Sequence, residues 1–164
     1  LNITESMVDL PEAIQPIFEA AGWTASEAIA VQAGIPTTAK SRVDAILRQY
    51  AGLQVGSCGP GTEAAASNVY FYRSHRADVA ELLSPWRFQI GSCAAFANAH
   101  NDHMILFVSD DGSYFAFTDA DECLYRLVGC FGDIMKTLIF GYQIGASMPR
   151  DVQPFAAADG FADR

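Results

Sequence analysis

The stretch IGSCAAFANAHNDHMILF, from Ile90 to Phe107, places Cys93, His100, Asp102 and His103 within eleven residues. A thiol, two imidazoles and a carboxylate are the materials of a zinc site, or of a cysteine nucleophile with its base and an orienting carboxylate. A zinc site needs Cys93, His100 and His103 to converge, with Asp102 available as a fourth ligand. On an extended strand His100 and His103 would point to opposite sides, so convergence requires a loop. A thiol enzyme needs an imidazole beside Cys93, and no sequence flanking Cys93 matches a thiol-enzyme signature. The plainer reading is that Ile90 to Cys93 ends a strand, Ala94 to Asp102 connects, and His103 to Val108 opens the next strand. Cys93 is then part of a core wall, and neither catalytic residues nor a metal or cofactor is expected.

A second run of reactive atoms is acidic. Asp102, Asp110, Asp111, Asp119, Asp121 and Glu122 fall within 21 residues, with no basic side chain between them other than the histidine at 103. Asp is favoured in turns for its local hydrogen bonds. The same residues form a surface able to meet the Lys and Arg side chains of a partner. Their spacing lacks the regular Asp/Asn ladder of an EF-hand calcium loop. The loop VGSCGPGT has Gly56 and Gly61 at phosphate-loop spacing, but Thr62 and Glu63 stand where that motif needs a lysine. A carboxylate there would repel phosphate, so a glycine-proline turn is expected instead.

The elements that must position these groups can be read from periodicity. After Asp9 as a cap and Pro11-Glu12, residues Ile14, Ile17, Phe18 and Ala21 share one helical face, and Gly22-Trp23 stops the helix. Trp23 is expected to seal the core behind it. A second helix follows Pro36-Thr37-Thr38, carries Val43, Ile46, Leu47 and Tyr50, and ends at Gly52. Strands are expected at Leu53 to Val55, Asn68 to Tyr72, Arg87 to Ile90, Met104 to Ser109, Ser113 to Thr118 and Leu124 to Val128. Asp110-Asp111-Gly112 supplies a hairpin turn between the fourth and fifth of these, since Asp-Gly tolerates positive φ. A short helix from Ser74 to Leu83, capped by Ser74 and ended by Pro85, is expected in the middle. His75 would then be an exposed residue of its first turn. A last helix runs from Phe131 through Ile134, Leu138 and Ile139 to Gly141. Hairpin topology would put Asp110 and Asp111 at one end of the strand pair, and Asp119, Asp121, Glu122 and Asp102 at the other. The order predicts an α+β fold: one largely antiparallel sheet with N-terminal, middle and C-terminal helices packed around it. Residues 1–145 read as a single domain, and 146–164 as a loosely packed or disordered tail.

Composition bounds the function. At 164 residues the chain can bury roughly 70% of its extended surface in one core. Nineteen Asp and Glu against ten Lys and Arg leave a net charge of −9. Such a surface repels nucleic acid and anionic lipid and steers basic partners inward, so neither nucleic acid nor membrane is an expected partner. No apolar run spans a bilayer, and Leu1-Asn2-Ile3-Thr4-Glu5 lacks the regions of a signal peptide. Four cysteines without a C-x-x-C pair are then expected as reduced, mostly buried thiols in a cytoplasmic protein.

Six segments in order resemble the third branch of the SUKH superfamily of bacterial immunity proteins (the Smi/Knr-like fold). LPEAIQPIFEAAGWT resembles its opening helix and Gly-Trp pair, and AILRQYAGLQV its helix ending in an aromatic-Ala-Gly-Leu junction. GPGTEAA fits its Pro-Gly loop, RFQIGS and LFVSDDGSYFAF its strand and hairpin, and LYRLVGCFGDIMKTLIFG its closing strand and helix. The similarity spans Asp9 to Gly141. The chain departs from the branch at Ser26-Glu27-Ala28, where an arginine is usual, and in the His100-to-His103 insertion. The resemblance implies a non-enzymatic protein that binds and neutralises a cognate polymorphic toxin, often a nuclease or deaminase. The alternatives are a thiol- or metal-dependent enzyme centred on Cys93, His100 and His103, and a regulatory scaffold of the same fold with a non-toxin partner.

Overall fold

The computed structural model describes residues 9–25, 35–76 and 78–152. The expectations for Leu1 to Glu5, for Ser26-Glu27-Ala28 and for the tail beyond residue 152 lie outside the described residues.

The strands are β1 (Gln54–Val55), β2 (Gly59–Pro60), β3 (Ala65–Ala66), β4 (Val69–Arg76), β5 (Cys93–Ala99), β6 (Met104–Ser109), β7 (Tyr114–Thr118) and β8 (Cys123–Leu127). Six of them form one antiparallel sheet in the order β1-β4-β5-β6-β7-β8, and β2 pairs with β3 in a separate ribbon. The helices are α1 (Gln15–Ala20), α2 (Ala39–Tyr50), α3 (Arg87–Ile90) and α4 (Phe131–Phe140), with a 3-10 helix at Ala80–Trp86. The fold is α+β, as expected.

Both faces of the sheet are covered, which explains the unbroken apolar runs in β6 and β7. On one face α1, α2 and α4 bury Phe18, Val43, Ile46, Tyr50, Phe131 and Ile134 against Phe71, Phe96, Leu106, Tyr114 and Ala116. On the other, Leu83, Trp86 and Ile90 from the 3-10 helix and α3 meet Phe107, Phe115, Phe117 and Leu124. The alternation of Tyr114 and Ala116 against Phe115 and Phe117 therefore separates two cores rather than core from solvent. Trp23 is buried against Tyr50 at a ring separation of 6.4 Å.

Central strand β5 is the clearest departure from the sequence expectation, which made Ala94 to Asp102 a connection. Its alanines are weak strand formers, but two helical layers close on it and small side chains fit between them. A bulge accommodates the one large residue. Ala95 opposes Phe107 while Ala97 opposes Leu106, leaving Phe96 as an extra residue that joins Ala97 in the helix-side core. Arg87 to Ile90, expected as a strand, is the helical turn α3. Ser74, His75 and Arg76, expected in a helix, extend β4 instead, and Pro85 lies inside the 3-10 helix rather than ending it. The middle helix of the expected fold is thus the 3-10 segment with α3. Asp9 does not cap α1, whose N-cap is Ile14 without a side-chain bond.

Helix ends are closed by specific partners. At the start of α2, Thr38 and Ser41 form a capping box, and the Ala39 N–H also donates to Asp110 Oδ1 at 2.6 Å. At the end of α4, Gly141 takes a left-handed conformation. The Phe140 carbonyl accepts from Thr62 N, and the Gly141 carbonyl from Glu63 N and Ala64 N, all at 2.8 Å. The Pro-Gly loop thus spends on a helix C-terminus three backbone donors of the kind a phosphate loop would offer a nucleotide.

The tail from residue 146 is described to Val152. Ser147 bridges Tyr125 of β8, Met148 N donates to Leu124 O, Trp86 Nε1 donates to Met148 O, and Asp151 N donates to Pro85 O. This strap ties the outer edge of β8 to the 3-10 helix. Among the described residues no helix is long and apolar enough to cross a membrane.

Candidate partner-binding surface

The meander decides which reactive residues meet. Cys93 begins β5 opposite Ser109, whereas His100 follows its last residue. The strand between them spans on the order of 20 Å. The Cys93 thiol is pushed up to about 12, first by burial and then by the carboxylates of Asp110 and Asp111. His103 Nδ1 instead meets both carboxylate oxygens of Asp119 at 3.1 Å, and His100 Nδ1 lies 3.1 Å from Ser67 Oγ. The Cys93-centred constellation does not assemble. Among the described residues no group of three or more His, Cys, Asp or Glu is placed to hold a metal ion. The cysteines are free, with Cys58, Cys93 and Cys123 half-buried and Cys130 exposed, so they are less buried than expected.

The acidic residues divide between the two ends of the sheet as the hairpins require. Asp110 and Asp111 occupy the β6–β7 turn. Asp110 caps α2, and its carbonyl accepts from Arg42 Nε at 3.0 Å. Asp111 Oδ1 accepts from the Ser109 hydroxyl at 2.5 Å and from Ser113 N at 2.9 Å. Both are exposed, yet their charges serve the turn and the helix it abuts.

Asp102, Asp119, Asp121 and Glu122 gather at the opposite end, where the β5–β6 and β7–β8 turns lie side by side. Asp119 N donates to His103 O at 3.1 Å, and Met104 opposes Thr118 in the register that brings the turns together. All four acidic residues are exposed. Asp121 is partly committed, accepting from the Thr118 hydroxyl, from Tyr125 OH at 2.5 Å and from Cys123 N at 3.1 Å. Those bonds, the Thr118 hydroxyl first, hold its carboxyl below the ordinary range. Asp119 also faces His103 and Asp102 accepts from Asn98, but each has a single side-chain partner, so with Glu122 they are the carboxylates best placed to meet a partner.

The β5–β6 turn is unusual in backbone. His100, Asn101 and Asp102 have φ of 52°, 53° and 69°, three successive left-handed residues. Asn, Asp and His are the non-glycine types that visit this region most readily, and then mostly as single residues. Asn68 of the neighbouring segment pays for the turn with three bonds: its carbonyl accepts from His100 N, its Oδ1 from Asn101 N, and its Nδ2 donates to Asn101 Oδ1.

A cleft of about 560 Å³ adjoins this acidic end, lined among others by Tyr70, Tyr72, Arg73, Arg76, Asn98 and Asp102. Its floor is a hydrogen-bonded chain in which Tyr72 OH donates to Asn98 Oδ1 and Asn98 Nδ2 donates to Asp102 Oδ1. Burial pushes the Tyr72 phenol up to about 12, so it remains a donor. Arg76 stacks over the Tyr72 ring at 5.2 Å while paired with Asp78. Apart from Asp102, the sequence reading missed these residues. Their available signal was the Tyr-x-Tyr-Arg run of β4, since Tyr and Arg are the side chains that anchor interfaces.

No family model, curated protein or solved structure matches the chain. The functional reading therefore rests on the site itself and on the sequence resemblance.

Asp111 carries a pH prediction. Its hydrogen bonds, that from Ser109 first, hold it down to about 2, below the ordinary value of about 3.9. A group depressed on folding adds stability above the unfolded pKa, and loses it as pH falls through the folded one. The protein is expected to lose stability between about pH 4 and about pH 2, and Asp111→Asn to flatten that decline slightly, the group being solvent-screened. Melting temperature against pH checks this; parallel curves for the two proteins would remove Asp111 from the acid response.

Proposed function

We propose that the protein is a non-enzymatic immunity protein that acts in the cytoplasm by binding and neutralising a cognate polymorphic toxin, a nuclease or deaminase with a basic surface. The observation that carries this reading is the placement of Asp102, Asp119 and Glu122 on two adjoining turns, exposed, beside a cleft with tyrosine and arginine walls. Carboxylates on a rim steer a basic partner and set its orientation. Aromatic and guanidinium groups in an adjoining recess provide the anchoring contacts. A toxin that acts on nucleic acid presents cations to its substrate, and an acidic protein seated there excludes that substrate. The net charge of −9 acts in the same direction.

The test begins with capture of partners on immobilised protein at low and physiological salt, followed by co-expression of the captured protein. The variant Asp102→Asn/Asp119→Lys/Glu122→Lys is chosen to spare the left-handed turn, where Asn is tolerated. It is expected to weaken binding on the order of 100-fold at low salt and to abolish protection while keeping its melting temperature. A control reversing Glu12 and Glu19 near α1 is expected to protect. Full protection by the triple variant would remove this surface from the mechanism. A partner whose co-expression is harmless would instead indicate the scaffold of the same fold.

A further inference from the structure

Of the four thiols, one stands beside an imidazole. Cys93 is walled in near Asp110 and Asp111, Cys123 Sγ donates to the Asp121 carbonyl at 3.4 Å, and Cys130 Sγ donates to the Asp133 carboxylate at 3.1 Å. Cys58 Sγ lies 3.9 Å from His100 Nδ1 and donates to Asn68 Oδ1 at 3.3 Å. The pair opens on a second cleft, of about 720 Å³, whose other walls are the loop of residues 59–65. The imidazole shares Nδ1 with the hydroxyl of buried Ser67, which holds the ring in place against the sulfur.

The same two neighbours hold the acidic turn. Asn68 Oδ1, the acceptor of the Cys58 hydrogen, also accepts from Asn101 N at 2.8 Å, and His100 is the first of the three left-handed residues that end in Asp102. A change at the sulfur therefore reaches the acidic rim through one side chain and one ring.

We infer that Cys58 is a thiolation site, modified by low-molecular-weight disulfides, whose occupation loosens the His100–Asp102 turn. In the reaction the Cys58 hydrogen turns from Asn68 Oδ1 to His100 Nδ1 and is transferred to it, and the thiolate attacks one sulfur of the disulfide. A new sulfur–sulfur bond forms as the old one breaks, and the departing thiolate takes the proton back from the imidazole. The product has no S–H to donate to Asn68, and its added bulk stands where Asn68 and His100 meet the sulfur. That this would tune toxin binding rests on the proposed function; the thiolation and the loosening do not.

The experiment treats the full chain with oxidised glutathione and follows each cysteine by mass spectrometry. Cys58 is expected to react about tenfold or more faster than Cys93, Cys123 and Cys130. His100→Asn, which suits the left-handed backbone, is expected to lose most of that advantage with the fold intact. Equal rates at the four sites, or an unchanged rate at Cys58 in His100→Asn, overturn the assignment. Amide hydrogen exchange supplies the second readout. Residues 100–103 are expected to exchange faster after glutathionylation, and not in treated Cys58→Ser; unchanged exchange overturns the coupling. Neither readout involves a partner, so a failed toxin assay and a failed thiol assay are separate results.

Discussion

Phe131→Ala is expected to destabilise the protein by about 3–5 kcal/mol, read as a lower urea midpoint with an unchanged slope. Phe131 is the first residue of α4 and is almost fully buried. Its ring stacks on Tyr50 of α2 at 5.2 Å and packs against Phe71, Phe96 and Tyr114 of three different strands at 6.2–6.4 Å. Truncation removes the contact between two helices and the centre of the sheet at once. It opens a cavity bounded by rings that cannot all move inward, because each also packs on another: Phe71 on Phe18, Phe96 on Tyr114. Phe131→Leu keeps most of the volume and is expected to fall well short of that loss. A loss below about 1 kcal/mol for the alanine would mean that the cluster closes over the gap.

The second large effect lies where α4 meets the Pro-Gly loop. Gly141 has φ of 69°, and a Cβ there would press on the Ala64 carbonyl oxygen and stand 2.8 Å from both Ala66 N and Gly61 Cα. All three are backbone atoms, so nothing flexible can yield. Left-handed strain of roughly 1–2 kcal/mol adds to overpacking of about 1–3 kcal/mol, and Gly141→Ala is expected to lose about 2–5 kcal/mol. Gly145 separates the two causes. Its φ is 90°, but a Cβ there meets open space, so Gly145→Ala carries the backbone strain alone. Equal losses at the two glycines, measured by chemical denaturation, would show that the contact with the loop contributes nothing.

Elements whose pattern is local were legible. The helix of Val43, Ile46 and Tyr50 announces itself by spacing and by Thr38, and the β6–β7 hairpin by Asp111-Gly112 between apolar runs. Where tertiary context overrides local preference, the reading failed. Ala94 to Ala99 becomes a central strand because two layers need small residues there, a demand made in part by α2, more than forty residues away in the chain. Arg87 to Ile90 is too short for period 2 to be told from a helical turn, and its neighbour Trp86 fixes it by hydrogen-bonding the distant Met148 carbonyl. The same division holds at the surface. Splitting the carboxylates between the sheet ends follows from hairpin connectivity alone. The meeting of Cys58 with His100, and of Tyr72 with Asn98, joins residues 42 and 26 positions apart and leaves no local mark.

The meander also has a consequence in time. From β5 to β8 each strand pairs with its chain neighbour through a turn of about four residues, so three of the sheet's ladders can zip from local hairpins on the microsecond scale. Joining β4 to β5 must close a longer loop that carries Trp86, and the surface on which α2 and α4 pack draws Phe71, Phe96 and Tyr114 from three strands. The β7–β8 turn that carries Asp119 and Glu122 would then take shape before the molecule has its core, whereas the His100–Asp102 turn waits for Asn68 to arrive with β4.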